Sequence, residues 1–185
     1  WVAGHLLRKR ADDQPARMVD SAAILFTVLV AFLEIRHFMN GGDIYRHSSA
    51  LGALALQVCT GLAVAIGLER VRHKTGSVVH DVGALIIAGL TGCAIVLGLW
   101  MTCNPLFSRE PVGGVFLNLV LLGYGIPAGL AIVLAMQTRD VRPPAYRIGA
   151  AAIAVLLMLS YLSLEVRTLY HGPVLSLGPT TDAEQ

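Results

Sequence analysis

The chain has 185 residues, of which 55% are hydrophobic and only 14% are charged. Soluble domains carry about 25% charged residues, so this composition, with a mean hydropathy of +0.66, excludes an ordinary soluble domain and indicates an integral membrane protein. The formal net charge of +2 is too small to predict a nucleic-acid-binding surface, and the expected partner is the lipid bilayer.

Five apolar segments follow one another along the chain, each long enough to cross the roughly 30 Å hydrocarbon core as a helix. Residues 1–18 precede them as a basic segment with no cleavage site after the first apolar run, so that run is a retained helix. Residues 171–185 follow as a polar tail. We predict an all-α, multi-pass bundle over residues 19–170, with spans at residues 19–38, 49–68, 79–102, 115–136 and 145–170.

Several residues are predicted to mark the helix ends. Asp20 or Ser21 is a suitable N-cap for the first helix, and the glycines at 41 and 42 end it. Residues 69–74 carry five charged or histidine side chains and are predicted to form a charged hairpin. Asn104 precedes a proline, which disfavours the helical conformation in the residue before it and ends the third helix.

The fourth segment contains Pro127 between glycines, and we predict a structural kink there because proline removes a backbone hydrogen bond. Gly125 and Gly129 form a G-x-x-x-G pair, which favours close helix packing. The alternative is a discontinuous helix that lines a substrate site, as in transporters.

Positive charge is distributed unequally between alternate sides of the predicted bundle. Residues 1–18, 69–80 and 137–147 hold ten of the 14 Lys and Arg residues, whereas the other side holds Arg36, Arg46, Arg109 and Arg167. Because positive charge marks the cytoplasmic side, we predict a cytoplasmic N-terminus and, with five spans, an outer C-terminus.

Two apolar segments end alike. Glu34 and Arg36 recur as Glu165 and Arg167 at a separation of 131 residues, and the closing glycine at 41 recurs at 172. The recurrence predicts a parallel internal repeat, with coincidence at the membrane interface as the alternative. Thr168 stands where the first copy has His37.

Within one Glu-x-Arg ending the two charges point to different sides of a helix and cannot pair, so each needs another partner. We predict reciprocal pairs across the bundle, Glu34 with Arg167 and Glu165 with Arg36. The functional alternative is a polar cavity at the outer face that binds an anion or a sugar or lipid headgroup. Its candidate binding residues are Glu34, Arg36, His37, Asn104, Glu165, Arg167 and His171.

Metal and cofactor chemistry are not predicted. Glu34 and His37 have the Glu-x-x-His spacing of some metal sites, but the second copy lacks the histidine, so we predict no metal and no cofactor. The three cysteines, at 59, 93 and 103, lack zinc or redox spacing and are interpreted as structural.

The chain resembles the large bacterial predicted membrane proteins of domain of unknown function two-three-three-nine over most of its length after about residue 18. The resemblance is carried by Leu33-Glu34-Ile35-Arg36-His37, Leu164-Glu165-Val166-Arg167, His171-Gly172, Asn104-Pro105-Leu106, Glu110-Pro111-Val112-Gly113, Asn118-Leu119, Tyr124 and Pro127-Ala128. It implies a bacterial inner-membrane location and a chain that is a portion, or a short relative, of a longer protein with many spans. It implies no activity, so no catalytic residue follows from it.

The function expected from these observations is a helical scaffold or accessory bundle within a larger envelope assembly, with further transmembrane segments as partners. A transporter or a binding module for an anionic, sugar or lipid headgroup is the first alternative. Part of a membrane-embedded transferase is the second, for which Glu34, Glu165 and His37 are the candidate acids or bases.

Overall fold

The structure is a computed structural model that describes residue 2 and residues 14–42, 50–108, 111–114 and 117–176. Within these ranges all regular elements are helical, and Gly113 and Asn118 form an isolated antiparallel β-bridge. The predictions that concern Arg8, Lys9, Arg10, Arg46, Arg109, Glu110 and residues 177–185 lie outside the described residues.

The described part of the chain contains a bundle of five α-helices, so the predicted all-α multi-pass architecture is confirmed. They are α1 (Gln14–Met39), α2 (Ala50–Thr75), α3 (Val78–Cys93), α4 (Ile126–Gln137) and α5 (Pro144–His171). A first π-helical segment (Ala94–Thr102) continues α3, and a second (Leu121–Gly125) leads into α4. Four helical runs are long and apolar enough to cross a membrane: Gln14–Met39, Ala50–Thr75, Val78–Thr102 and Pro144–His171. The run Leu121–Gln137 is shorter.

Two predicted helix ends are wrong. Asp20 is not an N-cap, because α1 begins at Gln14 and places Asp20 inside the helix, buried. Residues 69–74 are not a hairpin but the last turns of α2, which is consistent with the good helix propensity of Glu, Arg and Lys. The helix ends where Gly76 takes a positive φ of 63°, with its N–H donating to Arg72 O (2.8 Å).

The fourth helical run begins later than the predicted residue 115, because residues 117 and 118 are not helical and backbone hydrogen bonds of the described residues form a turn at this end of the bundle. Leu119 N–H donates to Val112 O (2.8 Å), and Val112 N–H donates to Pro173 O (2.8 Å). The side-chain oxygen of Asn118 accepts a hydrogen bond from Leu121 N–H (2.8 Å), which is the geometry of a helix cap. This turn shortens the fourth span.

The helix α2 lies at the centre, since it packs against α1, α3, α4 and both π-helical segments, whereas α5 packs against α4 and the second π-helical segment. Gly61 of α2 lets α3 approach closely, because a Cβ atom there would lie 2.3 Å from the hydroxyl oxygen of Thr91. The main apolar core includes Val58, Leu62, Leu99, Tyr124 and Leu157.

The outer helices present large apolar side chains on their exposed faces. Phe26 and Leu29 of α1, Leu90 of α3, and Leu159 and Leu162 of α5 are all exposed. An apolar surface of this extent faces lipid or further helices, as expected for a membrane protein.

Candidate functional site

The two ends of the bundle carry different polar chemistry. We call the end with the α2–α3 turn and the α4–α5 loop the basic end, and the end with Met39 of α1 and His171 of α5 the opposite end. The binding residues predicted from sequence all belong to the opposite end.

At the end of α1, the side chains of Glu34, Arg36 and His37 are all exposed. The helix packs against α2 and α3, so these three residues lie on the outside of the bundle.

At the end of α5, Glu165 is buried, with 8% of its surface exposed. Its Oε2 atom accepts a hydrogen bond from the side-chain amide of Asn118 (3.0 Å). Its Oε1 atom is also buried and has no hydrogen-bond partner among the described residues. Glu165 is therefore a buried carboxylate with half of its hydrogen-bonding capacity unused.

Arg167 has a structural partner, because its Nε donates to the backbone oxygen of Leu175 (2.8 Å). Leu175 is fully buried, so the chain after α5 folds back against the bundle. His171, the last residue of α5, is half-buried next to this turn.

Asn104 is used locally. Its amide nitrogen donates to Trp100 O (3.2 Å), and its side-chain oxygen accepts from Leu106 N–H (3.0 Å). These bonds satisfy the end of the first π-helical segment and the turn that follows it.

The predicted reciprocal ion pairs are wrong. Glu34 is exposed on α1, whereas Arg167 binds Leu175 O and Glu165 binds Asn118. The physical reason is that α1 and α5 pack against different helices, so equal membrane depth does not bring their charges together. The predicted internal duplication stays a prediction.

The basic end holds a closed ring of four ion pairs, which we call the charge ring. Glu69 accepts from Arg72 Nε (3.0 Å) and from Arg142 Nε (2.8 Å). Asp81 Oδ1 accepts a hydrogen bond from Arg72 Nη1 (3.1 Å) and forms an ion pair with Arg142 Nη1 (2.8 Å). Because two carboxylates alternate with two guanidinium groups, the ring is neutral, and the Glu69 side chain can be fully buried within it.

The charge ring joins three parts of the chain. Glu69 and Arg72 lie on the last turns of α2, Asp81 on the first turn of α3, and Arg142 on the loop between α4 and α5. Arg142 also donates to the backbone oxygen of Asp81 (2.9 Å) and lies 5.8 Å from the ring centre of Tyr146 in α5. The ring therefore fastens α2, α3 and the start of α5 at one membrane depth.

Sequence reasoning missed the charge ring because residues 69–74 were predicted to be a hairpin. One signal was available: Glu69 and Arg72 have the i, i+3 spacing at which helical side chains meet. The positive-charge count also put Arg142 at the same end as this pair, and Asp81 directly follows the counted segment 69–80. Acidic residues among basic ones at one end predict ion pairs there.

The two π-helical segments meet inside the bundle. The hydroxyl of Tyr124, in the second segment, donates to the backbone oxygen of Leu99 in the first (2.6 Å). Leu99 and Tyr124 are both buried. Pro127, also buried, is the second residue of α4, and α4 directly follows the second π-helical segment.

The surface has grooves between helices that are mostly apolar. One, of about 630 Å³, lies between α4 and α5 and is lined by Arg139 and Arg147 at the basic end. A second, of about 550 Å³, lies between α3 and α5 and has no charged residue in its lining. Among the described residues, no three His, Cys, Asp or Glu side chains are grouped to hold a metal ion.

Comparison with known protein families identifies the chain's family. The model of a family described as "Predicted membrane protein (DUF2339)" matches residues 1–183, nearly the whole chain. No curated protein and no solved structure matches it.

Proposed function

The chain belongs to this family of predicted membrane proteins, which has no assigned activity, and we propose that it is a structural bundle within a larger envelope assembly. In this proposal its helices span a bacterial inner membrane with the basic end in the cytoplasm. Among the described residues, Arg36 and Arg167 lie toward the opposite end, whereas seven Lys and Arg residues lie toward the basic end: Arg17, Arg70, Arg72, Lys74, Arg139, Arg142 and Arg147.

The observation that carries this proposal is the exposure of α1. Of its 26 residues, only Ala16, Asp20 and Ile24 are buried. A helix that buries so little against its own bundle has a whole apolar face available for lipid or for other helices. Glu34 is exposed on this helix near its end, and a carboxylate so placed is stabilised by a partner or by the headgroup region.

The charge ring supports the same function. A neutral ring of four ion pairs holds α2, α3 and the α4–α5 loop in one arrangement. A scaffold needs this kind of rigidity, whereas a transporter needs helices that move past one another and a polar path through the membrane. The groove linings are apolar over most of their length, which favours the scaffold.

The test is cross-linking in native membranes with a photoreactive residue at Leu29, on the exposed face of α1. A scaffold forms a discrete protein–protein adduct at this position. The matched control is the same residue at Ile24, which faces the bundle and is expected to react within the chain. Adducts with lipid alone at Leu29 and at exposed positions on α3 and α5 contradict the proposal.

A second candidate function, a binding module at the opposite end, is favoured by Glu165. Within the part of the chain that the structure describes, its buried Oε1 atom has no hydrogen-bond partner, so it could accept hydrogen bonds from a sugar or from the hydroxyl groups of a lipid headgroup. Arg167 and His171 lie within two turns of it on α5 and remain candidate contacts. The other binding residues predicted from sequence would then lie in a separate part of the opposite end: Glu34, Arg36, His37 and Asn104.

Thermal stabilisation by soluble sugars and glycerol phosphates tests the binding module. We expect the shift to disappear in Glu165→Gln, and to persist in Glu34→Gln as the matched exposed control. No shift in the unaltered protein, or equal shifts in all three proteins, contradicts it. A transferase is the third alternative, and of its candidate groups only Glu165 is buried.

A further inference from the structure

We propose that the groove between α4 and α5 binds one anionic phospholipid, with its phosphate between Arg139 and Arg147 and one acyl chain along the groove. This inference goes beyond the proposed scaffold function and needs only that the bundle lies in a membrane. The lipid belongs to the leaflet at the basic end.

The walls of the groove fit an acyl chain. Ile132 and Met136 of α4 face Ile148, Val155 and Leu159 of α5 across a volume of about 630 Å³. The apolar α5 wall extends over the 12 residues from Ile148 to Leu159, or roughly 16 Å at the helical rise, which is close to half of the hydrocarbon core. One acyl chain of a single leaflet has this length.

The mouth of the groove is positively charged. Arg139 and Arg147 line it at the basic end, and within the described residues neither lies within salt-bridge distance of a carboxylate. Arg147 Nη1 donates to the backbone oxygen of Arg139 (3.4 Å), which holds the two arginines close together. By contrast, Arg72 and Arg142 at the same end are neutralised by the charge ring. Two arginines that line one groove, with no carboxylate of the described residues in salt-bridge distance, favour a phosphate, which accepts hydrogen bonds from guanidinium groups.

Charge complementarity selects a lipid over another helix as the occupant. An apolar helix would cover the walls of the groove but would leave Arg139 and Arg147 without an anion, whereas an anionic phospholipid supplies both the acyl chain and the phosphate. The groove between α3 and α5 is the comparison within the molecule, since it is of similar size but has no charged lining. It is therefore not expected to discriminate between lipid charges.

The experiment is native mass spectrometry of the intact chain released from nanodiscs that contain equal amounts of phosphatidylglycerol and phosphatidylethanolamine. We expect one retained phosphatidylglycerol and little phosphatidylethanolamine. The double variant Arg139→Gln with Arg147→Gln is expected to lower the affinity for phosphatidylglycerol about thirty-fold, at about 1 kcal/mol for each basic residue near the surface. The matched control is Arg70→Gln with Lys74→Gln, which removes the same charge from exposed positions of the same end outside the groove lining.

A second pair of variants tests the acyl chain. Ala151 lines the groove, whereas Ala152 is exposed on the same helix outside it. Ala151→Phe is expected to reduce lipid retention, and Ala152→Phe is not. Excess inorganic phosphate is not expected to displace the lipid, because it has no chain to fill the groove. Equal retention in both double variants, equal retention in both alanine variants, or displacement by phosphate would overturn the proposal. So would a dimer in which this groove is occluded and no lipid is retained.

Discussion

Glu69 and Glu165 are both buried carboxylates, but the protein stabilises them in different ways. Glu69 accepts hydrogen bonds from two arginines in the charge ring, whereas Glu165 accepts one from the neutral side-chain amide of Asn118. A buried charge without compensation costs several kcal/mol, so the ring is the arrangement that tolerates full burial. Glu165 is less completely compensated, since the hydrogen bond to its Oε2 atom comes from a neutral amide.

The charge ring gives the first prediction. Glu69→Gln removes one negative charge and leaves the ring with two guanidinium groups and one carboxylate. We expect a loss of about 3 kcal/mol in the free energy of unfolding, measured by denaturant titration in detergent. Glu69→Gln combined with Arg142→Met restores a neutral pair, Arg72 with Asp81, and is expected to lose less than the sum of the single changes.

Arg70→Gln is the control for this cycle, because Arg70 is adjacent in sequence but exposed. It is expected to change the stability by no more than about 0.5 kcal/mol. Strictly additive losses in the double variant would show that the four charges act independently and would contradict the ring.

The second prediction concerns the hydrogen bond between Tyr124 and Leu99. Tyr124→Phe keeps the aromatic side chain in the core but leaves Leu99 O without this donor. We therefore expect the free energy of unfolding to fall by about 1 kcal/mol, in the range measured for hydrogen bonds between membrane helices. Tyr161→Phe is the matched control, since its ring packs near Gly125. Thermal unfolding of both variants gives the comparison, and equal losses would assign the effect to general packing.

The sequence showed which charged side chains need a hydrogen-bond or ion-pair partner, but it did not show which residues are their partners. Arg167 does not pair with Glu165 of its own Glu-x-Arg ending but donates a hydrogen bond to Leu175 O. The reciprocal pairing failed because it assumed that α1 and α5 are neighbours, and the order of helices around a bundle is not written in their apolar pattern. The acceptor for Arg167 is a backbone carbonyl oxygen after the end of α5, and no sequence pattern shows that such an oxygen will be available.

Helical geometry departs from the α form in the two π-helical segments. The change from the second π-helical segment to α4 lies just before Pro127, where Ile126 N–H donates to Leu121 O, five residues earlier. Proline has no N–H, so it cannot donate to Gly123 O at the next step. The sequence predicted an irregularity from proline, but nothing in it indicated the first π-helical segment, Ala94–Thr102.

Replacing Pro127 tests its part in this geometry. Pro127→Ala restores a backbone donor, and we expect the α-helical register to extend toward Leu121 and to move the Tyr124 hydroxyl away from Leu99. Membrane insertion should be unchanged while the thermal stability falls. The structure of the variant is the measurement, and an unaltered π-helical segment in it would show that packing, not proline, sets the register.

The close approach of α2 and α3 gives the next prediction. A Cβ atom at Gly61 would meet the Thr91 hydroxyl, which is buried and donates to Ile87 O (2.7 Å). Gly61→Ala is therefore expected to destabilise the protein by about 1 to 3 kcal/mol through overpacking. Gly67, on the same helix, has no atom within 4 Å of such a Cβ, so Gly67→Ala should be neutral or gain up to about 1 kcal/mol of helix propensity. Equal melting temperatures for the two variants would contradict the close contact.

For the molecule as a whole, apolar length predicted the number and approximate place of the helices. The fifth span was expected at residues 145–170 and lies at Pro144–His171. The fourth was predicted too long, since residues 117 and 118 are not helical and Leu119 N–H donates back to Val112 O, which is itself held to Pro173. Such long-range backbone bonds depend on where the chain end packs, which composition and periodicity do not encode.

The last prediction concerns orientation. The turn at Gly76 and the loop before Pro143 both lie at the basic end, and the turn after Asn104 lies at the opposite end. Because cytoplasmic loops are enriched in Lys and Arg, reporter fusions after Lys74 and after Asp140 should be active in the cytoplasm, and a fusion after Asn104 should be active outside. The Asp140 fusion serves as the internal control, since it tests whether the shorter fourth run crosses the membrane. If it reports the same side as Asn104, Leu121–Gln137 does not span. If all three sides are reversed, the charge ring and the arginine-lined groove face the outer leaflet.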